Sequence, residues 1–110
     1  VNLKELAWAA GFFDGEGSVY RYKGQGALRL QIAQVDRRPL DRFRAAVLEI
    51  GRVNGPYPNK GLNRKPYWSW NVTSVESGQA VIALLWRFLS GPKREQIKNS
   101  IRMGVAQRCA

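Results

Sequence analysis

The 110-residue sequence predicts one α+β domain: a four-stranded antiparallel sheet carrying helices on one face, in the order αββαββαα. Residues 28–33 and 67–72 each alternate apolar and polar side chains, the period-two signature of a strand buried on one face only. Apolar residues recur at helical spacing in four other stretches. The elements fall into two αββ halves followed by two further helices, which leaves one sheet face polar and basic.

Taken in order, Leu3 to Asp14 reads as a helix with Ala7, Ala10, Gly11 and Asp14 on one face and Leu6, Ala9 and Phe13 on another. Ser18 to Lys23 has strand composition, and Lys23-Gly24-Gln25-Gly26 supplies a turn. In the second strand Leu28, Leu30 and Ile32 face the core, opposite Arg29, Gln31 and Ala33. A helix follows in which Asp36 or a neighbour caps and Pro39 fits the first turn. Leu40, Phe43, Val47 and Ile50 form its apolar stripe, and Gly51 stops it. Asn54 to Pro66 reads as a hairpin with a long basic tip. Trp68, Trp70 and Val72 then alternate with Tyr67, Ser69 and Asn71. Val75 to Leu89 is a helix stopped by Ser90-Gly91-Pro92, and Lys93 to Met103 is a last helix with Ile97 and Ile101 toward the core.

Composition narrows the chemistry. Lys and Arg total 18 against 8 Asp and Glu, a net charge of +10 that points to a polyanionic partner, most simply nucleic acid. Four Trp, four Tyr and four Phe supply a core for a folded chain. With no His and one Cys, Cys109, there is no internal disulfide, no Cys/His zinc site and no Ser-His or Cys-His triad within one chain. Catalysis is left to carboxylates, Lys, Arg, Tyr or a metal held by oxygen. Neither a membrane span nor a secretion signal is present, so the expected location is intracellular, in cytoplasm, nucleoid or organelle matrix.

One stretch resists a purely structural explanation. LAWAAGFFDGEGSVY, residues 6–20, runs an apolar helix into Asp14 and Glu16, interleaved with Gly15 and Gly17. A helix C-terminus carries partial negative charge, so two acids there cost stability. The run lacks the Gly-Lys-Ser/Thr of a phosphate-binding P-loop and the spaced acids of a calcium EF-hand. Ala9 to Gly17 resembles the signature of the LAGLIDADG homing endonucleases, with Glu16 replacing the second Asp. LQIAQVDRRPLDRF (30–43) resembles that family's second strand and next helix, and FLSGPKREQI (88–97) its Lys-x-x-Gln segment.

The resemblance implies a sequence-specific, metal-dependent endonuclease of double-stranded DNA. Glu16 with the Gly15 carbonyl would hold Mg²⁺ or Mn²⁺, with Ca²⁺ as a non-catalytic substitute. Gln34 would organise active-site water, Arg38 would lie near the scissile phosphate, and Lys93 would polarise water or stabilise developing charge. The insertion of Gly91-Pro92 leaves the adjacent Arg94 as an alternative to Lys93. One motif per chain implies a homodimer on a long pseudo-palindromic site, joined through Ala7, Ala10, Gly11 and Asp14. The two glycines would let the chain turn sharply just past the helix. Base readout falls to the open sheet face, with Tyr20, Tyr22, Arg29, Gln31, Tyr67, Ser69 and Asn71, and to loop residues Gln25, Asn59, Lys60, Asn63, Arg64 and Lys65. No membrane or small-molecule substrate is implied. The same fold also serves non-cleaving nucleic-acid binders, RNA maturases or DNA-binding regulators, and the host element, intron or intein, stays open.

Overall fold

A computed structural model describes residues 1–21, 28–61 and 64–109, with the backbone alone for Arg21 and 102–109. Helix α1 spans Leu3–Glu16. Strands β1 (Gly17–Arg21) and β2 (Leu28–Gln34) follow, then α2 (Arg38–Ala46), β3 (Arg52–Tyr57), β4 (Tyr67–Val72), α3 (Val75–Leu85), a 3₁₀ turn (Trp86–Phe88) and α4 (Gly91–Cys109). The strands form one antiparallel sheet in the order β1-β2-β4-β3, so each αββ half contributes a hairpin and the halves meet at β2 and β4. The predicted fold class is the observed one.

The alternation read from sequence decides which face is covered. Leu28, Leu30, Ile32, Trp70 and Val72 are buried beneath the helices, joined by Leu6, Ala9, Phe13, Phe43 and Val81. Phe43 meets the Trp70 ring edge-on at 4.7 Å and stacks near Phe13 at 6.2 Å, so an aromatic cluster pins α1 and α2 to the sheet. Asn2 caps α1 by accepting from the Glu5 N–H at 3.1 Å, and Ser74 caps α3 by accepting from Ser77 N–H at 3.2 Å.

Several boundaries differ from expectation. Helix α1 runs two residues further, so Glu16 closes its last turn instead of lying past it, and the Gly17 N–H caps the Phe13 carbonyl. Gly17 is extended (φ −82°, ψ 149°), a conformation open to any residue, so a sharp turn is not why glycine stands there. The reason is packing: a Cβ on Gly17 would lie 2.4 Å from the buried Phe13 ring. Helix α2 stops at Ala46 rather than Ile50, because Leu48 and Glu49 turn left-handed (φ 59° and 61°). The Ile50 carbonyl accepts from the Trp70 indole at 3.0 Å. Gly51 (φ 88°) begins the approach to β3, and a Cβ there would lie 2.6 Å from that indole nitrogen. Strand β3 therefore starts at Arg52, ahead of the predicted Asn54. Helix α4 starts at Gly91, since Pro92 suits a first helical turn, and Ile101 is exposed rather than in the core.

Candidate functional site

The end of α1 is where the chain gathers its chemistry. Gln34 shares the parity of Leu28, Leu30 and Ile32 and pairs with Trp68, so at the end of β2 its side chain stands on the helix-covered side. There its Nε2 donates to Glu16 Oε2 at 3.1 Å. From α4, the Lys93 Nζ donates to the Gly17 carbonyl at 2.9 Å and to Gln96 Oε1 at 3.1 Å. Acid, amide and ammonium are thus joined around the junction of α1 with β1. Lys93 does not pair with either motif acid: its bonds go to the neutral oxygens of Gly17 and Gln96.

Asp14 plays a different part. Its carboxylate accepts from the Ser90 N–H (3.1 and 3.2 Å) and from Ser90 Oγ–H (3.0 Å), immediately ahead of α4. The positive N-terminal end of α4 thereby faces an acid at the negative end of α1, which offsets the cost of placing that acid there. Asp14 is only part-exposed and tied within its own chain. Ala10 is wholly buried, so it leaves the expected interface stripe and joins the core; Ala7 and Gly11 remain exposed.

Arg38 does not join this group. Its guanidinium forks onto Asp36 (Nη2 to Oδ2 2.7 Å, Nε to both oxygens at 3.1 Å), and its side chain is 90% exposed. That fork, with the Arg38 backbone N–H, draws the Asp36 pKa down to about 2 and raises that of Arg38.

The open sheet face is hydrogen-bonded across three strands. Tyr20 O–H donates to Gln31 Oε1 (3.3 Å), while Gln31 Nε2 (3.2 Å) and Asn71 Nδ2 (2.9 Å) both donate to Ser69 Oγ. Ser69 is consequently buried despite facing the open side. Tyr67 and Tyr57 complete a shallow depression there, their rings 5.6 Å apart, and Asn59 lines its neighbour. Arg29 shares the face through its pairing with Tyr20. Lys60, Arg64 and Lys65 are exposed on the β3–β4 loop. Tyr22, Gln25 and Asn63 lie outside the described residues, as does the 23–26 turn. Sequence reading missed Arg52, Asn54 and Tyr57, which register opposite Asn71, Ser69 and Tyr67; Asn54 to Pro66 reads as a hairpin with a long basic tip, and a register shift between Asn54 and Tyr57 breaks the alternation that would mark the strand. It missed Ser90 too, although a Ser just before Gly-Pro is a helix-start signal.

The residues present suit a hard divalent ion. Glu16 is exposed, and Gly15 is among the last carbonyls of α1, which a helix leaves without an intrahelical donor. Among the described residues no cluster of three or more His, Cys, Asp or Glu occurs.

The family model of the LAGLIDADG-like domain matches residues 4–86. The chain belongs to this family. Solved LAGLIDADG enzymes share the fold. I-CvuI, solved on the I-CreI target with Mg and uncleaved DNA, superposes with a TM-score of 0.69 at 21% identity, covering 94% of this chain and 69% of that one. I-TnaI gives 0.66 at 18% identity, covering 94% and 73%. The archaeal intron-encoded I-Vdi141I, solved with DNA, gives 0.58 at 21%, covering 78% and 55%. No curated protein matches. The LAGLIDADG motif occupies the end of α1 and the first residue of β1; Ser90 and Lys93 lie beyond the matched stretch. No helix among the described residues is long and apolar enough to cross a membrane.

Proposed function

We propose that this LAGLIDADG protein is a sequence-specific, divalent-metal-dependent endonuclease of double-stranded DNA that acts as a homodimer. The observation that carries the reading is the Glu16–Gln34 pair, with the Lys93 ammonium on the adjacent Gly17 carbonyl. Gln34 orients the Glu16 carboxylate while leaving its second oxygen for an ion. Glu16 and the Gly15 carbonyl would hold Mg²⁺ or Mn²⁺, and Ca²⁺ would occupy the site without turnover. The ion, when bound, supplies Lewis-acid stabilisation of charge on the phosphate. Lys93 spends two of its three N–H donors on Gly17 and Gln96, and the third is available to a phosphate oxygen.

A second copy would complete the shell. The exposed Ala7 and Gly11 on α1 let two helix backbones approach, which would bring two Glu16 side chains together. The polar sheet face suits a major groove, with Arg29, Gln31 and Asn71 able to read base edges, and the basic loop tip suits phosphates. The DNA complexes of I-CvuI, solved with Mg or with Ca, support the choice of partner and ion.

The decisive experiment selects cleaved sites from a randomised duplex library with Mg²⁺, then compares the parent with Glu16→Gln on one selected site. The variant keeps shape and loses charge, so cleavage should vanish while binding persists or tightens. Full cleavage by Glu16→Gln overturns the site. A parent that binds but never cleaves overturns the enzyme reading in favour of a binding protein of the same fold.

A further inference from the structure

We infer that Ser90 and Asp14 are positioning residues for Lys93: a latch between the start of α4 and the end of α1 that sets where the lysine ammonium stands. For its consequence on cleavage the inference rests on the nuclease reading; its geometric content does not.

Lysine is a poor instrument of position by itself. A compact charge on four flexible carbons reaches one place only if its backbone is fixed and its ammonium is bonded. The first condition depends on Ser90 directly, and the second follows from where that backbone places the ammonium. Its Oγ accepts from the Lys93 backbone N–H at 3.3 Å, the bond an N-cap makes to the third helical residue. Its carbonyl accepts the first helical bond of α4, from Arg94 N–H at 3.0 Å. Its own N–H and O–H both go to the Asp14 carboxylate across 76 residues of sequence. One residue therefore starts the helix that carries Lys93 and ties that start to the helix that carries Glu16. Pro92, with no N–H to donate, leaves the Lys93 N–H as the donor available to the cap.

The latch also sets direction. Lys93 lies in the first turn of α4, and its Nζ donates both to the Gly17 carbonyl at the start of β1 and to Gln96 Oε1, one turn on. The Phe13 ring, 5.5 Å from the same Nζ, closes another side. Loosening the cap would let Lys93 swing without removing any group that faces DNA. The role expected of Ser90 is thus on turnover, not on affinity.

Two measurements test it in parent, Ser90→Ala, Ser90→Thr and Asp14→Asn. The first is amine acylation of the free protein, read lysine by lysine by mass spectrometry, with Lys98 on the same helix as internal reference. Ser90→Ala should raise labelling of Lys93 relative to Lys98 several-fold. Ser90→Thr, which keeps the hydroxyl, should match the parent, and Asp14→Asn should fall between. The second is single-turnover cleavage and binding of one selected duplex: Ser90→Ala should lose about tenfold in rate with unchanged Kd, restored in Ser90→Thr. Unchanged Lys93 labelling in Ser90→Ala overturns the latch. So does a loss of affinity equal to the loss of rate, or a Ser90→Thr as impaired as Ser90→Ala. If the parent does not cleave, the labelling arm still decides, and only the nuclease reading has failed. Should Ser90→Ala not fold, Asp14→Asn takes its place: raised Lys93 labelling supports the latch, and labelling equal to the parent's overturns it.

Discussion

Replacing Gly17 by Ala tests why the motif ends in glycine. The added Cβ would stand 2.4, 2.6 and 2.7 Å from three atoms of the Phe13 ring. Ordinary contact begins near 3.4 Å, so an overlap of about 1 Å must be relieved. Phe13 cannot easily provide it, being 1% exposed and packed on Phe43 at 6.2 Å. Gly17 cannot move freely either. Its N–H caps Phe13, its carbonyl accepts from Lys93, and it pairs with Ile32. Overpacking of this kind costs about 1–3 kcal/mol. Gly15→Ala is the matched control: it is helical, nothing lies within 4 Å of its Cβ, and Ala favours a helix over Gly by about 1 kcal/mol at most. Urea unfolding at one fixed protein concentration measures both. With a slope of about 1–3 kcal/mol/M, Gly17→Ala should lower the midpoint by roughly 1 M, and Gly15→Ala should hold or raise it. An unchanged midpoint for Gly17→Ala, or an equal loss in both, would show that Phe13 does not dictate the glycine.

Three further outcomes are expected. Gly11→Leu adds bulk on an exposed stretch of α1 where a new Cβ meets nothing, so the monomer should keep its stability while sedimentation reports loss of the dimer; a dimer like the parent's places the interface elsewhere. Binding to a non-specific duplex should weaken steeply with salt, as the net charge of +10 requires, and a flat titration removes the nucleic-acid reading. Asp36 has a folded pKa drawn from 3.8 to about 2 by Arg38, so its contribution is present above the ordinary carboxylate range and is lost as pH falls through about 2. The stability difference between the parent and Asp36→Asn should therefore shrink across that window; a constant difference refutes the pairing.

Local order was written in the sequence. The alternation of residues 28–34 and 67–72 set the buried face of the sheet, because a strand's period of two is a property of neighbouring residues. The same holds for Leu6, Ala9 and Phe13 on α1, and the run from Ala9 to Gly17, taken with residues 30–43 and 88–97, marked the family. What depends on residues far apart was not legible. Ala10 and Ala7 look alike in a stripe of small residues, yet one is enclosed by the fold and the other exposed. Helix α2 ends early because of a left-handed turn at Leu48 and Glu49, beside an Ile50 carbonyl held by Trp70 from another strand. Gly17 is dictated by a ring four residues back only once α1 persists to Glu16. The bonds that join Glu16 to Gln34 and Asp14 to Ser90 span 18 and 76 residues. No periodicity announces such pairs; they arise when the packed core fixes where the helix ends stand.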